Sequence, residues 1–70
     1  MSYAINTDRM KLARLEKGYS QAALAQKSGV TLVTVCLLET KKTKTPRPST
    51  IKKICDALGI AVTDVLVAVE

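Results

Sequence analysis

Six of the eleven cations in this chain, Lys41, Lys42, Lys44, Arg47, Lys52 and Lys53, crowd into one stretch, and no carboxylate lies between Glu39 and Asp56. The plainest account of such a run is a solvated loop that happens to be basic. The whole chain carries the same sign, with a formal charge of +5 and a pI near 9.5, which suits a polyanionic partner. Only two Tyr are present, and no Trp or Phe, so the stacking platforms that hold single strands or RNA loops are missing.

Other chemistries find little support. The absence of histidine removes the commonest general base and the imidazole metal ligands. The six carboxylates are scattered, with no two spaced to share one helix face. Cys36 and Cys55, with no CxxC and no histidine, make neither a zinc site nor a disulfide framework and read as reduced thiols in a cytoplasmic protein. Expected, therefore, is a protein with no catalytic role, no cofactor, no metal and no small-molecule substrate. The apolar run Val65 to Val69 is far short of the ~20 residues of a membrane span, and the N-terminus lacks the apolar core of a signal peptide. Both point to a soluble chain inside the cell, with no membrane partner.

Seventy residues, 47% of them apolar, suit one small domain over 1–70, with a core from 8 to 66 and a short apolar tail over 67–70. The pattern predicts an all-α fold of five short helices and no strand. Asn6 or Thr7 can cap a first helix, which Gly18 ends, with Met10, Ala13 and Lys17 on a thin stripe. Ser20 caps a second, Gln21 to Ser28, in which Leu24 and Ala25 are the apolar pair and Gly29 is the stop. After Val30, Thr31 caps a third that runs to about Thr40. Two helices this short, joined at one glycine, make a helix-turn-helix unit whose second helix enters the major groove. The stretch from Thr40 to Pro48, with two prolines, is an exposed loop. Ser49 caps a fourth helix with Ile51, Ile54, Cys55 and Leu58 at i, i+3, i+4 and i+7, ending at Gly59. A fifth starts at Thr63 and Asp64 and carries Val65 and Leu66.

Gly18-Tyr19-Ser20-Gln21, Leu24-Ala25, Gly29-Val30-Thr31, Val35, Leu38-Glu39 and Ala57-Leu58-Gly59-Ile60 closely resemble the XRE-like helix-turn-helix domain of the lambdoid phage repressors and Cro. The likeness runs without gaps from about Asp8 to Leu66, and Lys41 to Arg47 resembles the basic loop of the phage repressors. It implies that Gln21, at a helix N-terminus, bonds a phosphate, where the alternative is simply a good first helical residue. Thr40, Lys41, Lys42, Lys44 and Arg47 would grip the backbone on the far side without reading sequence. Arg14 and Glu39 match a family pair that bridges the first and third helices, so a structural role for Arg14 outranks phosphate binding.

The base-facing positions depart from the resemblance. Beyond Thr31, this chain has Leu32, Val33, Cys36 and Leu37 where relatives place Gln, Arg, Ser or Asn. None of these side chains forms the bidentate hydrogen bonds that identify G or A, though they can touch a thymine methyl. With Val35 and Leu38 facing inward, the four form an exposed apolar strip. Three accounts stay open: an A·T-rich operator read through methyl contacts; a protein-binding face, as in an antitoxin or regulator subunit; or a rotated third helix that buries the strip. The first is preferred, because the basic loop and Gln21 would otherwise have little purpose. The expected function is sequence-specific DNA binding by a transcriptional regulator, a repressor. Cys36 reads as a small hydrophobe and Cys55 as core. A tail that stays apolar beyond Leu66 suggests a weak homodimer, through an extended fifth helix or a strand paired with its mate, against the alternative that Val67 and Val69 fold back on their own chain.

Overall fold

Residues 2–42 and 46–69 are described here, in a computed structural model. Helix starts are set by small polar side chains. Asn6 accepts a hydrogen bond from the Arg9 amide at 3.0 Å and opens α1 (Thr7–Glu16), and Ser20 does the same for the Ala23 amide at 3.0 Å and opens α2 (Gln21–Ser28). Thr31 accepts from the Thr34 amide at 3.2 Å and opens α3 (Leu32–Glu39). Each cap satisfies a donor that the first turn cannot bond internally. Gly29, at φ +76°, lets the chain reverse between α2 and α3 in a left-handed conformation that a side chain would resist.

The fourth helix, α4 (Pro48–Leu58), starts differently from the sequence expectation. Arg47 occupies the cap position, with no side-chain cap bond, and Pro48 is the first helical residue. Ser49 therefore lies inside the helix, and Pro48 belongs to it rather than to the loop. Proline suits that position, since its fixed φ is already helical and its missing N–H would have had no partner there. Ile51, Ile54, Cys55 and Leu58 are all buried. In α1 the buried residues are Met10, Ala13 and Arg14, while Lys17 is exposed at the helix end.

No fifth α-helix follows. Val62–Asp64 forms one 3-10 turn, tied by a bond from the Ala61 amide to the Asp64 carboxylate at 3.1 Å. Leu66–Val69 then extends as a strand, β2, antiparallel to an N-terminal strand, β1 (Ser2–Ile5), with Tyr3 opposite Ala68 and Ile5 opposite Leu66. Among the described residues, the expectations of five helices and no strand are thus corrected to four α-helices, a 3-10 turn and a two-stranded sheet. The β-branched Val67 within β2 suits the change, because such a residue loses side-chain freedom in a helix and fits a pleated pair. The tail takes the fold-back alternative, pairing within its own chain.

All elements converge on one core. Met10, Ala13, Leu24, Ala25, Val35, Leu38, Ile51, Ile54, Cys55, Leu58 and Val65 are buried, with Ile5, Tyr19, Val30, Ala57, Ile60 and Val62 packed around them. Helix α2 lies against both α3 and α4, and α1 against the same two. Burial of each large aliphatic side chain contributes about 1.5–3 kcal/mol. The Asn6 amide donates to the Val65 carbonyl at 2.7 Å, which fastens the start of α1 to the entry of β2.

Candidate nucleic-acid interface

Helix α3 is apolar on both sides. Val35 and Leu38 point into the core, whereas Leu32, Val33 and Leu37 remain 46%, 65% and 38% exposed. The account in which a rotated helix buries the strip does not hold for these three. Cys36 differs from them: it is half-buried, and its thiol donates to Gln21 Oε1 at 3.1 Å instead of facing outward with its neighbours.

Polar groups along α3 are already engaged within the chain. The Thr31 and Thr34 hydroxyls lie 2.8 Å apart, and Thr31 also caps the helix. Thr40 donates from its hydroxyl to the Cys36 carbonyl at 2.8 Å. Thr31 and Thr40 stay exposed at opposite ends of the helix.

Helix α3 ends in an arrangement usually built on glycine. The Lys41 amide donates to the Leu38 carbonyl and the Lys42 amide to that of Leu37, at 3.1 and 3.0 Å, with Lys41 left-handed at φ +61°. That turn sets two exposed cations directly beyond the apolar strip. Lys41 Nζ also lies 3.1 Å from Asp8 Oδ2, but both side chains are largely solvated, so the pair constrains the lysine little. Arg47 is exposed at the start of α4. Lys44 lies outside the described residues.

Behind the strip sits a connected set of charged and polar groups. Arg14 on α1 grips Glu39 on α3 with two parallel bonds, Nε to Oε2 at 2.7 Å and a terminal nitrogen to Oε1 at 2.8 Å, with only 8% and 7% of the two side chains exposed. Its other terminal nitrogen donates to the Tyr19 carbonyl at 2.8 Å, so the guanidinium also ties the turn between α1 and α2. Nothing in the residue types marked that carbonyl in advance. Gln21, the first residue of α2, donates from Nε2 to Glu39 Oε1 at 3.1 Å. Burial alone would push the Glu39 carboxyl up, yet the hydrogen bonds from Arg14 and Gln21 and the Arg14 charge outweigh it and hold the group below the usual carboxylate range. Sequence reasoning assigned Gln21 to phosphate and missed this inner role.

The apolar strip leads into the exposed Lys41 and Lys42, while Gln21 stays half-buried at the start of α2. Cys55 is fully buried, and burial together with the charges of Asp56 and Asp64 pushes its thiol up, away from reactivity. Among the described residues, no cluster of His, Cys, Asp and Glu could hold a metal ion, and no helix is long and apolar enough to cross a membrane.

A helix-turn-helix family model matches residues 10–65. Among solved structures, the chain is similar to SinR from Bacillus subtilis, whose complex with DNA it matches at 30% identity and a TM-score of 0.79, covering 84% of this chain and 94% of that one. SinR is also known in a complex with SinI protein. A hypothetical transcription factor from Neisseria, NHTF, shows 35% identity and a TM-score of 0.78 over 86% of this chain and 66% of that one. The P22 c2 repressor bound to a synthetic operator shares the fold at 24% identity, with a TM-score of 0.74 over 84% of this chain and 88% of that one. With its α2–turn–α3 unit and a family match that spans most of its length, the chain belongs to the helix-turn-helix family, of the Cro/C1 type.

Proposed function

We propose that the chain is a sequence-specific double-stranded DNA-binding transcriptional regulator, acting as a repressor, with α3 inserted in the major groove. One observation carries this reading: the exposed strip on α3 runs directly into the exposed cations Lys41 and Lys42. Thr31, Leu32, Val33 and Leu37 would face base edges, where the aliphatic side chains meet thymine methyls. Cys36 belongs to that helix but acts from behind it. Gln21, Thr40, Lys41, Lys42, Lys44 and Arg47 would hold phosphates on either side and fix the register without selecting sequence. DNA complexes of SinR and of the P22 c2 repressor lend support. One copy spans one half-site, so a weak homodimer that tightens on two half-sites about 34 Å apart completes the proposal.

A second reading rests on a different observation. Because the hydroxyls and the thiol of α3 are bonded within the chain, its outer face offers aliphatic contact and little hydrogen bonding, which also suits a protein partner. The complex of SinR with SinI shows that one relative does engage a protein.

A mobility-shift measurement on mixed-sequence duplex DNA at two salt concentrations separates the two. The DNA reading requires binding that weakens steeply with salt. Replacing Lys41, Lys42 and Lys44 together by Ala should weaken binding to every sequence alike and lower the log–log salt slope by about 0.9 per lost phosphate contact. Absence of binding at either salt would favour the protein-interaction module.

A further inference from the structure

We infer that Cys36 is a positioning residue for DNA binding, one whose thiol aims the Gln21 side chain at the phosphate backbone. This rests on the DNA-binding reading above and adds a residue to it that touches no DNA. The argument begins at Arg14, which fixes both oxygens of Glu39. A carboxylate held charged has no proton to give, so the Gln21 atom facing it must be the nitrogen, and Nε2 donates to Oε1 at 3.1 Å. That leaves the amide oxygen pointing the other way, where it receives the Cys36 S–H at 3.1 Å. A reversed amide would set oxygen against the carboxylate and nitrogen against a weak acceptor.

The amide is therefore fixed at both ends. A primary amide carries two N–H groups, and Glu39 takes one. The second stays available at the start of α2, beside first-turn backbone N–H groups that have no partner inside the helix. A phosphate placed there would meet side-chain and backbone donors together, along the favourable end of the helix dipole. Without the thiol, the Gln21 oxygen loses its partner and only the bond from Nε2 to Glu39 remains, so the amide can turn about that bond and presents its second N–H less often. Aliphatic residues at 32, 33 and 37 cannot replace the donor, and the Thr34 hydroxyl is engaged with that of Thr31, which gives a reason for a thiol at position 36.

Substitutions at two positions test the assignment, with mixed-sequence duplex DNA as probe and all variants compared at a temperature where circular dichroism shows them folded. Cys36→Ala should weaken binding about three- to tenfold, the range expected for one hydrogen bond made or lost, and should do so on every sequence. Its salt slope should match that of the unsubstituted protein, because a neutral amide releases no counterion, unlike the lysines of the loop. Cys36→Ser, which keeps a donor, should restore affinity to within about twofold. Gln21→Ala should weaken binding by the same factor as Cys36→Ala, and adding Cys36→Ala to it should change nothing further.

Full affinity in Cys36→Ala, alongside weakened binding in the lysine variants, would overturn the positioning role and leave the DNA reading intact. So would an equal loss from Cys36→Ala in the Gln21→Ala background. Failure of the unsubstituted protein to bind duplex DNA would instead remove the reading on which the inference rests.

Discussion

Helices α3 and α4 both place aliphatic residues on the core, but they treat water oppositely. In α4 the buried stripe of Ile51, Ile54, Cys55 and Leu58 is backed by a charged outer face, where Lys52 pairs with Asp56 at 2.8 Å. In α3 the buried Val35 and Leu38 are backed by Leu32, Val33 and Leu37. The first arrangement is what folding alone would produce. Hydrocarbon on the outer face of α3 adds nothing to the core, and so marks a surface kept for contact with something else.

If α3 is anchored through its inner face and its last residue, the largest effect should come from that anchor. Arg14→Ala leaves Glu39 buried without its partner and should cost about 3–5 kcal/mol of stability, read by urea unfolding. Glu39→Ala should cost a similar amount and the double variant less than the sum, since either change breaks the same pair. A protein with Arg14→Ala that melts normally but binds DNA poorly would reverse the assignment. The same pair sets an acid limit. The carboxyl is held below its ordinary value of 4.5 in the folded state, so its contribution is fully present above that value and disappears as pH falls through the depressed one. Glu39→Gln should flatten this acid-side loss in a pH series of melting temperatures.

Next in size is the contrast between the two helix faces. Ile54→Ala, at a site 1% exposed, should cost about 2–5 kcal/mol through the cavity it leaves. Val33→Ser, at a site 65% exposed, should change stability by less than about 0.5 kcal/mol while reducing discrimination between DNA sequences in competition binding. Destabilisation by Val33→Ser comparable to that of Ile54→Ala would erase the distinction between the helices.

The smallest effect has the opposite sign. Lys41 is left-handed at φ +61°, where a residue with a Cβ is disfavoured by about 1–2 kcal/mol. Lys41→Gly should raise the melting temperature by relieving up to about 1 kcal/mol of that cost, and should weaken DNA binding on all sequences. A gain in stability joined to a loss of affinity would show that the turn after α3 keeps lysine for its charge.

Much of this was legible because α1, α2 and α3 carry local signals. Asn6, Ser20 and Thr31 start them, Gly18 and Gly29 lie at turns, and the turn geometry follows from those residues alone. The start of α4 was misread, since Ser49 is a good cap by type, yet the fixed φ of Pro48 one residue earlier had already begun the helix. The sheet was invisible for a different reason. Four-residue strands are too short to show a period, and each depends on a partner at the far end of the chain. On the candidate interface, the family likeness indicated Arg14 and Glu39 as a pair, and the exposure of residues 32, 33 and 37 followed from helical spacing. The turn of Cys36 toward Gln21 depends on how α2 and α3 cross, which no single helix pattern contains.

Pairing Ser2 with Val69 also has a kinetic side. The contact of α2 with α3 joins neighbours along the chain and can form early, whereas the two strands meet only after nearly the whole polypeptide has been drawn into a loop. Closing the ribbon should thus be among the last events of folding and its opening among the first of unfolding. Amide protons of Tyr3 to Ile5 and Leu66 to Ala68 would then exchange with solvent through a partial opening that leaves α2 and α3 in place.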